Sequence, residues 1–391
     1  MCPWPPACVC SKLCDNAQAR LMLGSDSTEL HLLVPGLLGP FTAQPANGLA
    51  LDDSPRHQPA INALQRSLSR ASQASLPLTD YYSTLHYLLC PEKDIELSEL
   101  LGQFDQLPQS NGFYYLIEPV HFRAESDHAV LLGSELLQPQ SEEAQALVEA
   151  FNTHFAVEGI SLYAASASRW YLQSERALSL ELRSMEACLG RDIKHFMPQG
   201  DDALWWRRIL NEAQMLFFEH PVNLQREQQQ QLSINGLWLF QHGFKAHEGN
   251  IAANSRVNRL LADNAVAQAL CAFSDAGIQL EEMNNKPADK LIDKAGHSVL
   301  VDETFYAAAC YGDQAAWQDA LGEFCDSRFA PLDNALQHGQ ISRLHIYPCD
   351  GRIFSISKWQ RYHVWKPLHP ITHFFSQTDS QVDTRTDRQA S

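Results

Sequence analysis

The segment 210–242, LNEAQMLFFEHPVNLQREQQQQLSINGLWLFQH, gathers the residue types of a small binding site. His220-Pro221-Val222-Asn223 stands one turn before Arg226, and Asn235 opens the apolar run Gly236-Leu237-Trp238. A guanidinium holds a carboxylate or phosphate through two parallel hydrogen bonds, and an amide side chain orients the same ligand with a donor and an acceptor. The chemistry would be anion binding, with Arg226 as anchor and Asn223 and Asn235 as orienting groups beside His220. The same residues also allow an architectural reading, in which His220 and Asn223 cap a helix end and Arg226 pairs with Glu219. Burial of Arg226 against a carboxylate, together with no thermal shift by phosphorylated three-carbon acids, would mark architecture.

Other groupings are weaker. His242 and His247 flank Gly243, and a glycine-bearing loop favours solvent exposure over metal binding. His363, His369 and His373 invite a zinc reading, but Pro367 and Pro370 interrupt any regular element, and aromatic packing around Trp359, Tyr362 and Trp365 explains the segment better. Arg207 and Arg208 follow Trp205 and Trp206, as anion ligands or as snorkelling cations over packed rings. No Walker loop, GxGxxG, GxSxG or HExxH motif occurs, so nucleotide, dinucleotide and serine-hydrolase readings have no local support.

The elements that must position these residues follow from periodicity. Leu210, Ala213, Leu216 and Phe217 recur at helical spacing up to His220, Pro221 ends that helix, and 237–240 reads as a strand. Upstream, Glu29 to Val34 is an apolar strand, followed by a loop over 41–58 and helices over 60–71, 80–89 and 97–104. The block 112–173 reads β-β-α-β-β: strands at 114–116 with 120–122, 129–132, 159–163 and 169–172, and a helix over 141–155 capped by Ser141. Further on, helical patterns cover 255–274 and 313–337, and strands cover 298–301 and 343–347. Asp350-Gly351 is a strong turn signal, so 352–356 should return as a hairpin against 344–347.

Several of these pieces resemble one family. HPVN, the arginine three residues on, and N-x-L-x-L before a glycine resemble the archaeal-type cofactor-independent phosphoglycerate mutases of the alkaline phosphatase superfamily. They are closer still to a bacterial offshoot, the RpfE-type regulatory proteins. Arg169-Trp170-Tyr171-Leu172 resembles that offshoot's RWYL strand, Glu118 to Arg123 its dPvH strand, and Trp205 to Glu212 its W-R-x-LLNE helix. The likeness is good over 110–245 and weak over 29–100. It implies an alkaline-phosphatase-like α/β core, degenerate here, built from 29–104 and 230–374, with an α+β lobe and the HPVN helix over 105–229. It adds Arg169 to His220, Asn223, Arg226 and Asn235 as ligand-binding candidates.

The likeness breaks where the mutases do chemistry. Their first strand ends in a metal-binding Asp-Gly, whereas here 30–34 ends in Pro35-Gly36, and proline supplies no ligand. In place of their Ser-Asp nucleophile stands Thr79-Asp80. Their late D-x-x-G-H ligands would fall near Asp302, without the histidine. Two-metal phosphotransfer needs several Asp and His side chains together. Two readings follow. The favoured one is a non-catalytic descendant, without cofactor, that binds a small phosphorylated or carboxylated metabolite or a protein partner in a regulatory role. The other is a working mutase with relocated ligands, two divalent ions such as Mn or Zn, and Thr79 and Asp80 at its centre.

Composition narrows the setting. The chain has 391 residues, 45% of them hydrophobic, enough for a large core and a second lobe. A net charge of −17 argues against nucleic acid and anionic membrane as partners. No apolar run approaches membrane-span length and no signal peptide opens the sequence, so the cytosol is the expected location. Six dispersed cysteines read as reduced thiols, and Cys2, Cys8, Cys10 and Cys14 belong to a lead over 1–28 expected to be disordered, as is the tail over 375–391.

Overall fold

The apolar run at Glu29 is a strand, β1 (Glu29–Leu33), and each of its residues is buried. A strand buried on both faces needs parallel neighbours covered by helices. In the computed structural model β1 lies between β10 (His297–Val301) and β11 (Arg343–Tyr347), parallel to both. The structure describes residues 28–39, 57–90, 95–245, 255, 257–274, 277–283, 296–363 and 365–375. The four N-terminal cysteines, most of the 41–58 loop, His247 and the C-terminal tail lie outside them.

With strands numbered in chain order, the sheet runs β2 (Ser72–Ser75), β12 (Arg352–Ser357), β11, β1, β10, β8 (Arg259–Leu261), β9 (Gln279–Glu281). The β11–β12 hairpin expected around Asp350-Gly351 is present and antiparallel, with Gly351 at φ +90°, where a side chain would be strained. The even-numbered positions of β1 face the core. Leu30 and Leu32 pack with Leu300, Leu344, Ile346 and Phe354 against Ile61, Leu64 and Leu68 of the helix Gln58–Arg70. The odd-numbered positions face the other way.

Two helix expectations need correction. The stretch 255–274 is not one helix but β8 followed by a helix, Ala265–Ala272, capped by Asn264, whose Oδ1 accepts the Ala267 N–H. A strand of three residues carries too short a pattern to separate from a helix turn. The helix expected over 313–337 begins at Gln314, capped by Asp313, but widens to a π turn over Cys325–Phe329 before Ala330–His338. Pro331 lacks the N–H that a regular ladder would use at that turn.

The second compact unit takes residues 90 to 245 and 264–274. Within it β7 (Gly236–Leu239) pairs with β3 (Phe113–Ala124), and Leu97–Phe104 packs with Ala265–Ala272. The two strands expected at 114–116 and 120–122 are one, β3. Pro119 falls between the stretch paired with β6 (Trp170–Ser174) and that paired with β4 (Ala129–Leu132), so no ladder donor is missed. With β5 (Ile160–Ala164) and the helix Ser141–His154 this is the α+β lobe. That helix is capped by Gln140 rather than Ser141, with Glu143 Oε2 accepting the Gln140 N–H at 2.8 Å. The mixed α/β core with a separate α+β lobe is the expected fold class.

Candidate functional site

Pro221 does not end the run of helix at 220. The helix Ala203–Phe218 stops at Phe218, and Pro221 starts another, Pro221–Gln228, at a position that needs no N–H. His220 is its N-cap, with Nδ1 accepting the Val222 N–H at 3.3 Å. Asn223 is buried: its Oδ1 accepts the Ile234 N–H at 2.7 Å, and its Nδ2 donates to the carbonyls of Ile234 and Phe217, each at 2.8 Å. Asn235 treats Phe122 the same way, accepting its N–H at 2.7 Å and donating to its carbonyl at 3.2 Å. Each amide side chain stands in for a strand peptide. Asn235 thereby extends the β3–β7 ladder by one position.

Arg226 is 2% exposed. Its guanidinium meets Glu143 Oε2 at 2.5 Å, donates through Nε to the Leu232 carbonyl at 2.7 Å, and also bonds the Leu137 carbonyl. The carboxylate partner is Glu143 rather than Glu219. Burial against a carboxylate, one of the two marks of architecture, is met. Arg169 is likewise committed, gripping both oxygens of Asp105 at 2.6 Å, with the Tyr171 hydroxyl donating to the same carboxylate at 2.6 Å. His220 lines an open groove of about 470 Å³ with Glu149, Thr153, His154 and Leu216 on its walls. Nearby in sequence, Trp206 is buried, Trp205 lies under the Arg176 guanidinium at 5.2 Å, and Arg208 bonds Glu158 and Glu212.

The carboxyl end of a parallel sheet is where open α/β folds place ligands. Here β1 leads into a buried apolar turn. Leu37 and Leu38 are inaccessible, and Gly36 turns at φ +82°. A Cβ on Gly36 would meet Ala309 Cβ at 2.6 Å and the Phe305 carbonyl oxygen at 2.8 Å, while Trp317 Nε1 donates to the Gly36 carbonyl at 3.0 Å. The next strand end carries Asp302, fully buried. Its N–H donates to the Leu33 carbonyl at 2.8 Å, and its carboxylate accepts the Thr304 N–H and hydroxyl and lies 3.5 Å from Arg328 Nε. Thr79 is exposed. Asp80 caps the helix Tyr81–Leu89, its Oδ1 accepting the Ser83 N–H at 2.8 Å.

A different cluster went unnoticed in the sequence. On the odd face of the core sheet, β1 presents Glu29 and His31, β11 presents His345 and β10 presents His297. Glu29, His31 and His345 are no more than 2% exposed, and a ligating atom from each lies within 4.8 Å of the others. Among the described residues this is the only group of three such side chains able to hold a metal ion. The rings of His31 and His345 stack at 4.8 Å, 13° from parallel. His31 Nδ1 is 2.9 Å from the Tyr347 hydroxyl, and His345 Nδ1 is 2.8 Å from Ser355 Oγ. Glu29 Oε2 is 3.6 Å from His345 Nε2 and 3.9 Å from His297 Nδ1, and Arg343 approaches Oε1 at 3.7 Å. Burial, and then the neighbouring His345 and His297, hold the His31 pKa well below the usual histidine range. Burial pushes the Tyr347 phenol up. A signal was present: Glu29 and His31 stand at alternate positions of β1, whose other residues are all leucine. The other histidine groupings do not match it. His369 and His373 stack on one another at 4.0 Å and meet Phe374 edge-on, and the His242 carbonyl accepts the Ser98 hydroxyl.

No family model matches the chain. Two curated 2,3-bisphosphoglycerate-independent phosphoglycerate mutases are similar to part of it. That of Methanosarcina mazei is 21% identical over 140 residues, 34% of this chain and 35% of the relative. That of Methanosarcina barkeri is 25% identical over 105 residues, 26% of each. The chain thus spans only about a third of the length of the curated relatives it matches. Among solved structures, a Pyrococcus horikoshii protein aligns at TM-score 0.44 and 12% identity over 85% of this chain and 88% of that one. The cofactor-independent phosphoglycerate mutase of Thermoplasma acidophilum aligns at 0.34 and 12%, over 84% and 90%. The chain is a distant, phosphoglycerate-mutase-like protein.

Proposed function

We propose that this is a non-catalytic, regulatory relative of the cofactor-independent phosphoglycerate mutases, of the RpfE-type offshoot, with an alkaline-phosphatase-like core. The reading includes a cytosolic setting and a role in binding a small phosphorylated or carboxylated metabolite or a protein partner. The observation that carries it is the closed exit of β1. Two-metal phosphotransfer requires roughly five Asp or His ligands converging on a site that substrate can enter. At this exit Pro35 offers no ligand, Gly36 packs against Phe305 and Ala309, and Asp302 is buried against Thr304 and Arg328. Neither Asp80 nor Asp302 belongs to a ligating group among the described residues.

On this reading Asn223, Arg226, Asn235 and Arg169 hold the lobe together, and His220, at the rim of the groove beside Leu216, is the member able to meet a ligand. The test is a mutase assay on 3-phosphoglycerate with Mn²⁺ or Zn²⁺ added. No turnover is expected. Metal-dependent turnover that disappears in Thr79→Ala would establish the working mutase instead. A thermal shift by phosphorylated three-carbon acids in wild type, lost in His220→Ala, would support the metabolite arm.

A further inference from the structure

We infer that Glu29, His31 and His345, with His297 beside them, form a structural site for a zinc-like divalent cation that clasps the three central strands of the core sheet. The site is separate from the sheet's carboxyl end, and the inference is independent of whether the chain has lost mutase activity.

The chemistry of the donors comes first. Imidazole and carboxylate together suit Zn²⁺ and its neighbours among the divalent metals, whereas Ca²⁺ and Mg²⁺ prefer oxygen alone. The imidazoles are also set up as ligands. A metal-bound histidine uses one ring nitrogen for the metal and donates the other N–H to an outer partner, which fixes tautomer and ring orientation. Both rings here have that partner on Nδ1, the Tyr347 hydroxyl for His31 and the Ser355 hydroxyl for His345. Both leave Nε2 buried without a hydrogen-bond partner among the described residues, and so does Nδ1 of His297. A buried imidazole nitrogen left unpaired is destabilising, and three in one cluster call for a shared acceptor of their lone pairs.

Geometry agrees. Bonds of about 2.0–2.1 Å around a tetrahedral centre place ligand atoms roughly 3.3 Å apart. Glu29 Oε2 and His345 Nε2 stand at 3.6 Å, and His297 Nδ1 at 3.9 Å from the same oxygen. Small side-chain movements close the set. The donors come from β1, β10 and β11, which are hydrogen-bonded neighbours, and the residues are separated by as many as 316 positions in the chain. A cation there would lock together strands that meet only in the finished sheet. It would be taken up with folding and would not exchange with bulk water as a catalytic ion does.

The test is the metal content of full-length protein purified without chelator, with Co²⁺ as a spectroscopic stand-in. Wild type should carry about one zinc per chain. After stripping, Co²⁺ should give the visible absorption of a tetrahedral nitrogen and oxygen site, without thiolate charge-transfer bands. Glu29→Gln and His345→Gln should abolish both. Ser355→Ala, which removes only the outer partner of His345, should weaken Co²⁺ binding roughly tenfold. Replacing Cys2, Cys8, Cys10 and Cys14 with Ser should leave the content unchanged. Less than about a tenth of a metal ion per chain in folded wild type, with no Co²⁺ spectrum, would overturn the inference. So would loss of the metal in the cysteine variant. Neither result requires the sheet variants to fold.

Discussion

Two buried polar clusters, one in each compact unit, look alike by composition and differ in how completely they are paired. In the lobe, Arg226 bonds a carboxylate and two carbonyls, and Asn223 and Asn235 each replace a strand peptide. In the core sheet, His31 and His345 satisfy one ring nitrogen and leave the other buried and unpaired among the described residues. A polar group taken out of water must recover its hydrogen bonds inside the protein. A cluster that does so explains its own presence. One that does not points to something beyond the chain, and that distinction, more than residue type, separates architecture from a site.

Removing the lobe's guanidinium should have the largest effect. Arg226→Ala strands two carbonyls and the Glu143 carboxylate, and a loss of about 3 kcal/mol is expected in urea unfolding. A loss well under about 1 kcal/mol would mean the ion pair is dispensable and the comparison is drawn wrongly. In the core, free zinc at about 100 times its dissociation constant should stabilise wild type by roughly 2.7 kcal/mol over stripped protein. His345→Gln should show no such gain in calorimetry. Asn223→Ala orphans the Ile234 N–H and carbonyl and should cost about 2 kcal/mol, measured by the same denaturant midpoint.

Glu118 sharpens the comparison, because a satisfied carboxylate can still be in the wrong charge state. It accepts the Ser134 N–H and hydroxyl, yet burial, and then Glu135, raise its pKa from 4.5 to about 7. Its contribution to stability is therefore full below pH about 4.5 and is lost as pH rises through about 7. Wild type should lose stability across that window, and Glu118→Gln should flatten the slope. An unchanged slope would show that the carboxylate ionises freely. The smallest effect belongs to His369→Ala with His373→Ala. These stacked rings join no ligating group among the described residues, and their loss should leave metal content unchanged.

Much of the scaffold was legible because it is local. The buried alternation of β1, the Asp350-Gly351 hairpin, the helix Leu97–Phe104 and the strand Ala129–Leu132 all follow from periodicity and turn chemistry within a few residues. Proline was harder. Pro221 ends nothing and instead begins a helix, and Pro119 sits inside a strand, since the meaning of a missing N–H depends on whether a neighbour would have used it. The polar residues of 220–235 stand together in the sequence, but their partners do not. Glu143, Leu137 and Phe122 come from elements some 80 to 115 residues away, and no spacing rule links them.

By itself the sequence determined the mixed α/β core, the α+β lobe and the absence of an Asp-Gly at the end of β1, because strand period, capping and the identity of Pro35 are written into neighbouring residues. Only the tertiary structure decided which polar side chains are paired. Glu29, His31, His297 and His345 become one cluster through the parallel register of β1 with β10 and β11. Register between strands hundreds of residues apart is fixed by packing of the whole sheet, so no segment read alone carries it.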